Sequence, residues 1–107
     1  MESNCEFDIK ISELAWADYL EILDKIGRTT LFEKSVEKWA NLLYGRMYSL
    51  KTMPKRFAVY KLDERFRSTN VGKYKIIYCV NDDKRIVTIA RIVYARRNLK
   101  KVAVEIS

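Results

Sequence analysis

Tyr74-Lys-Ile-Ile-Tyr-Cys-Val-Asn81, a break at Asp82-Asp83, and then Lys84-Arg-Ile-Val-Thr-Ile-Ala-Arg-Ile-Val-Tyr94 decide how this chain folds. Both runs are rich in β-branched and aromatic residues and end at turn formers. They read as two antiparallel strands joined by a tight hairpin. Upstream the period of two continues at residues 57–61 and 65–69, which read as two further strands. Before Pro54 the spacing becomes helical. Val36, Trp39, Ala40, Leu43, Met47 and Leu50, led by Phe32, form one apolar stripe, with Thr30 placed to cap it and Glu33 three residues later. Ala15, Tyr19, Ile22, Leu23 and Ile26 form a second stripe over residues 13–26, behind Ser12 as cap and ahead of Gly27 as stop signal. Two helices joined by a short turn make an antiparallel hairpin. Glu6-Phe-Asp-Ile-Lys-Ile-Ser12 alternates again, so Phe7, Ile9 and Ile11 share one face of an opening strand. The order β-α-α-β-β-β-β predicts an α+β fold: an N-terminal strand and an antiparallel helical hairpin packed on one face of a mostly antiparallel four- to five-stranded sheet. The other face is expected to be partly open. Residues 98–107 read as either a short helix or a final strand.

Composition narrows the function. With 107 residues, 49% hydrophobic and 33% charged, the chain is expected to form one domain over residues 1–107 with a modest core. Residues 1–50 carry six Lys/Arg against nine Asp/Glu and residues 51–107 carry fifteen against five, so the net +7 is −3 followed by +10. The basic excess lies on the strand half, which predicts a polyanionic or acidic partner such as nucleic acid, a ribonucleoprotein or an acidic protein. The opening Met1-Glu-Ser-Asn-Cys-Glu does not resemble a secretion signal, and a cytoplasmic location is expected. The apolar runs are strand-length, so no membrane partner is expected. Cys5 and Cys79 have no CxxC spacing and the chain has no His, so the expectation is no metal, no disulfide and no cofactor.

The hairpin carries a resemblance. Val71-Gly-Lys-Tyr-Lys-Ile-Ile-Tyr-Cys-Val-Asn-Asp-Asp83 followed by Ile89-Ala-Arg-Ile-Val-Tyr-Ala-Arg-Arg-Asn98 resembles the RelE/ParE superfamily of toxins from bacterial type II toxin-antitoxin systems. Ile9-Lys-Ile-Ser12 leading to Ala15, Asp18 and Ile22, and then Leu50-Lys-Thr-Met-Pro54, are similar to that family's opening strand, helix pair and exit into the strands. The resemblance implies growth inhibition, and a cognate antitoxin that would wrap the toxin in a hetero-oligomer, with a segment able to fold on binding.

The resemblance leaves two targets open. Its RelE-like arm consists of ribosome-dependent mRNA endoribonucleases, where cations stabilise the charge that develops on phosphate oxygens as the RNA's own 2′-hydroxyl attacks. On this reading Arg65, Arg67, Lys75 and Arg96, with Arg97 alongside, are the catalytic candidates, and Arg65 and Arg67 share a face of one strand. Lys75 stands where that arm usually has Arg, a compact charge in place of a planar fork. No aromatic residue follows Tyr94, where that arm commonly carries a tyrosine, and Glu64 or Glu105 would have to supply a base. The ParE-like arm poisons DNA gyrase and needs no catalytic side chain. Ile92-Val-Tyr-Ala-Arg-Arg-Asn98 is closer to the closing motif of this arm, making Tyr94, Arg96, Arg97 and Asn98, with Lys73, the target-binding candidates. A third reading is a basic module that docks on RNA or ribosomes without toxicity. Without the resemblance, alternating Arg and Lys also reads as a solvated face that guards a sheet edge. Tyr74, Tyr78 and Tyr94 read as packing residues, Trp39 as core, Trp16 as either exposed or part of a partner interface, and Arg91 as either half of a buried ion pair or a residue on the open face.

Overall fold

A computed structural model describes residues 6–29 and 33–95. Strand β1 (Asp8–Ile11) leads into helix α1 (Glu13–Thr29), helix α2 (Glu33–Ser49), and strands β2 (Arg67–Val71), β3 (Tyr74–Asn81) and β4 (Ile86–Tyr94). The four strands form one sheet in the order β1-β4-β3-β2. β2, β3 and β4 are antiparallel neighbours, while β1 runs parallel to β4, pairing Asp8 with Ile86 and Ile11 with Ile89. The sheet is therefore mixed. Parallel pairing requires a long crossover between the partners, and the helical hairpin with β2 and β3 supplies it.

Both helices cover one face. Ala15 and Tyr19 of α1, Leu43 and Met47 of α2, and Leu50 just beyond it pack against Val71, Tyr74, Ile76, Tyr78, Val87, Ile89 and Ile92. These are the stripes expected from the spacing. Ser12 caps α1, its Oγ accepting the Ala15 N–H at 3.1 Å and donating to the Ala90 carbonyl at 2.9 Å. The α1 helix runs through Gly27 instead of stopping there. Gly27 lies against α2, where a Cβ would stand 3.6 Å from Val36, so packing between the helices carries the chain past a residue of poor helix propensity. Thr30 and Phe32 lie outside the described residues.

Three further expectations change. The strand expected at 57–61 does not form. Pro54–Arg56 is a turn of 3-10 helix, and only Val59 bridges β2, at Arg67. The Tyr60 N–H then bonds the Phe66 carbonyl at 2.8 Å, closing a loop where the strand would have continued. β2 consequently starts at Arg67, not Arg65, and extends to Val71. The β3–β4 connection is a four-residue turn, with Arg85 at φ 54° and Asn81 Oδ1 accepting the Lys84 N–H at 3.0 Å. On the second face of the sheet Tyr60 and Phe66 pack with Ile77, Ala90 and Val93 as a second small apolar cluster.

Candidate functional site

A β-bulge decides where Tyr94 points. From the turn, Asn81 faces Ile86 and Tyr78 faces Ile89, but Ile77 faces Arg91 and Tyr74 faces Tyr94, so Ala90 is the extra residue in β4. Side chains alternate strictly along a strand, and one inserted residue exchanges the faces beyond it. Without the bulge Tyr74 would face Val93, and Tyr94 would lie on the opposite side of the sheet. With it, Tyr94 stands on the α1 side at the end of β4. Its ring meets Tyr74 edge-on at 6.0 Å between centroids. Tyr74 is 8% exposed and Tyr94 42%, so only the second ring presents a surface to a partner. Burial pushes the Tyr74 phenol above its usual pKa.

Lys73 joins Tyr94 at this end of the sheet. It lies in the turn between β2 and β3, where its carbonyl accepts the Ala95 N–H at 2.8 Å. Lys73 and Tyr94 line a cleft of about 590 Å³ between α1 and the end of β4, together with Glu21, Lys25 and Ile26 of α1. β1 stops at Ile11, and α1 takes over the β4 edge from there: the Asp18 carboxylate accepts the Ile92 N–H at 3.0 Å and pairs with the buried Arg91. Arg91 is thus half of a buried ion pair. Its partner, 73 residues away, was not foreseen from the spacing, although Asp18 is a charged residue on the buried side of α1. Arg96, Arg97 and Asn98 lie outside the described residues, as do Glu105 and Cys5.

Among the described residues, Arg67 and Lys75, both proposed for nuclease chemistry, do not come together. Arg65 precedes β2, in the turn at Asp63, and its Nε and Nη2 bond the two Asp63 carboxylate oxygens. That pairing holds the Asp63 carboxyl below the usual carboxylate range and raises the Arg65 guanidinium. Arg67 faces Tyr78 across the β2–β3 ladder and donates to the Phe57 carbonyl at 2.7 Å, on the helix side of the sheet. Lys75 is three residues from Tyr78 on a regular strand and therefore faces the opposite way, beside Tyr60, Ser68 and Asn70. Arg65 and Arg67 do not share a strand face, and Arg67 and Lys75 lie on opposite sides of the sheet. Glu64 is exposed.

Other cations in the basic half also support structure. Arg56 donates to the Thr52 and Met53 carbonyls just past α2, and Lys55 pairs with Asp82 at 2.6 Å. The Cys79 thiol is half-buried, and burial raises its pKa, which works against a thiolate nucleophile. Among the described residues no three His, Cys, Asp or Glu side chains are grouped to hold a metal ion, and no helix is long and apolar enough to cross a membrane. Trp16 is exposed on α1 and stacks on Tyr19 at 5.4 Å.

Residues 9–99 match the family model described as the ParE toxin of the type II toxin-antitoxin system parDE. The chain belongs to the ParE toxin family. ParE-family sequence spans β1 through β4, including both the bulge and the Lys73–Tyr94 corner. No curated protein matches this ParE-family toxin. Among solved structures it is similar to the chromosomal ParDE toxin-antitoxin system of P. aeruginosa, with a TM-score of 0.74 at 13% identity over 87% of this chain and 100% of that one. It is also similar to a free arginine-to-alanine double mutant of the E. coli toxin RelE, with a TM-score of 0.63 at 15% identity over 94% and 96% of the two chains. The toxin-antitoxin complex RelBE2 of Mycobacterium tuberculosis gives 0.56 at 15% identity over 88% and 97%. At such identities the likeness extends to the fold, which ParE and RelE toxins share.

Proposed function

We propose that this ParE-family toxin arrests growth by poisoning DNA gyrase, with Lys73 and Tyr94, continued by Arg96, Arg97 and Asn98, as its contact surface. The observation that carries this reading is the separation of Arg67 from Lys75 on opposite faces of the sheet. Stabilising a phosphorane-like transition state requires cations that converge on one point. A poison needs only an adhesive surface. An exposed aromatic ring beside a lysine is well suited to that, since Tyr supplies contact area with little conformational freedom to lose.

The partner in the cell is a cognate antitoxin, which we place in the cleft between α1 and β4. The net charge of +7 favours an antitoxin segment rich in acidic residues, and the apolar walls of the cleft, Ile22, Ile26 and Ile92, favour an amphipathic one. Antitoxin bound there would also screen Tyr94 from gyrase.

Pulse labelling of DNA and protein synthesis, begun within minutes of inducing the toxin without antitoxin in bacterial cells, tests the reading. The expected result is an early collapse of DNA synthesis that Tyr94→Ala abolishes. An early collapse of protein synthesis would overturn it and return Arg65, Arg67 and Lys75 to the centre of a ribonuclease reading.

A further inference from the structure

One residue of α2 reaches the Lys73–Tyr94 corner from behind. Trp39 packs its six-membered ring so closely on the β2–β3 turn that a Cβ on Gly72 would stand 2.6 Å from it. The same ring system meets Tyr74 edge-on at 5.3 Å, and Tyr74 in turn meets Tyr94. The Lys73 ammonium lies over both rings, 5.9 Å from the Trp39 centroid and 5.7 Å from that of Tyr74. A carboxylate would hold a lysine as firmly but would cancel its charge. An aromatic platform restrains the side chain and leaves the charge and its donors available to an anionic partner.

We propose that Trp39 is the positioning residue of the target-contact surface, setting Lys73 and, through Tyr74, the Tyr94 ring in their binding geometry before the target arrives. The inference rests on the gyrase-poison reading of that surface. Lysine has one of the most mobile side chains, and freedom removed in the free protein is not lost again on binding. A residue that served only as core would contribute stability alone.

The test uses the purified full chain in a gyrase supercoiling assay, with the Lys73 ε-methylene resonance followed by NMR as a ring-current reporter. Trp39→Leu is expected to raise the half-inhibitory toxin concentration about tenfold, the scale of releasing two side chains, and to shift the Lys73 resonance downfield. Trp39→Phe is expected to restore most of both. Trp39→Met, which keeps an unbranched apolar chain, replaces Trp39→Leu if that variant fails to fold. Val87→Ala, a buried core control at the opposite end of β4 from Tyr94, is expected to lower the melting temperature while leaving the resonance and the inhibition in place.

Wild-type inhibition by Trp39→Leu, an unmoved Lys73 resonance, or an equal loss of inhibition in Val87→Ala would overturn the positioning role. Lys73→Ala and Tyr94→Ala, assayed in parallel, separate its failure from that of the underlying reading. If both lose inhibition while Trp39→Leu keeps it, only the positioning role falls. If both inhibit like wild type, or if the wild type does not inhibit gyrase, the contact surface itself is wrong and the positioning role falls with it.

Discussion

Asp18 of α1 and Arg91 of β4 are joined by two parallel hydrogen bonds, Nε to Oδ2 at 2.7 Å and Nη2 to Oδ1 at 3.0 Å, with both side chains buried. The same carboxylate accepts the Ile92 N–H, so one side chain pairs with a buried cation and serves part of an open strand edge together. Removing one member of a buried pair is far more damaging than replacing both, because the survivor keeps its desolvation penalty. Asp18→Ala is expected to cost about 3–5 kcal/mol, read from urea denaturation midpoints. The double variant Asp18→Leu with Arg91→Met is expected to be more stable than Asp18→Ala alone, and a double variant as unstable as the single one would contradict this.

Gly72 is required for two reasons that can be separated. Its φ of 58° is a left-handed conformation, and its missing side chain makes room for Trp39. Gly72→Ala is expected to lose about 1–2 kcal/mol for the backbone and about 1–3 kcal/mol for overpacking. Adding Trp39→Phe removes the offending part of the ring, so it should recover the second loss and leave the first. Thermal melts of the two single variants and the double variant measure the coupling, and strict additivity would refute the contact.

Alkaline pH should unfold the protein through its tyrosines. Burial raises the phenol pKa of Tyr78, with Arg67 and Arg56 partly offsetting it, and burial also raises those of Tyr19, Tyr60 and Tyr74. A folded-state pKa above the unfolded value means that the stabilisation is fully present below the unfolded value of about 10 and is lost as pH rises through the folded values. The melting temperature should therefore fall above about pH 10. Tyr78→Phe, which removes the phenol that donates to the Pro54 carbonyl, should shift less steeply over the same range while being less stable at neutral pH. A slope equal to wild type would rule out Tyr78 as a contributor.

Arg46 protects the far edge of the sheet. Its Nη1 donates to Thr69 Oγ1 at 2.5 Å and to the Asn70 carbonyl at 3.0 Å, on the side of β2 that no regular strand covers among the described residues. Arg46→Ala is expected to cost about 1.5–3 kcal/mol and to increase concentration-dependent light scattering as the edge becomes available to other chains. Unchanged scattering would assign Arg46 to stability alone.

Periodicity made much of this fold legible and left the pairings hidden. Alternation located Tyr74–Asn81 to the residue, because that strand is central and both its faces are packed. The same alternation at 57–61 misled, since a strand also needs a partner and the chain turns away after Val59. Gly27 read as a stop because its propensity is local, whereas its contact with Val36 is tertiary. The shared face assigned to Arg65 and Arg67 depended on β2 starting two residues early. The Ala90 bulge left no signal in composition, yet it brings Tyr94 to the α1 side, so the Lys73–Tyr94 corner was readable as a motif and not as a geometry. Arg91 stood out as a charge on an apolar strand face, and only the fold shows that Asp18 is its partner.

The position of β1 beside β4 sets an order of events during synthesis. β1 is the first described element to leave the ribosome, and the strand it pairs with is the last. Until Ile86–Ile89 has emerged, the helical hairpin has no completed sheet on which to dock, and β1 waits unpaired through the making of every other element. Pairing of such distant segments is slow to form. The cleft between α1 and β4 therefore exists only once the last described strand has been made, and whatever binds there meets a finished sheet.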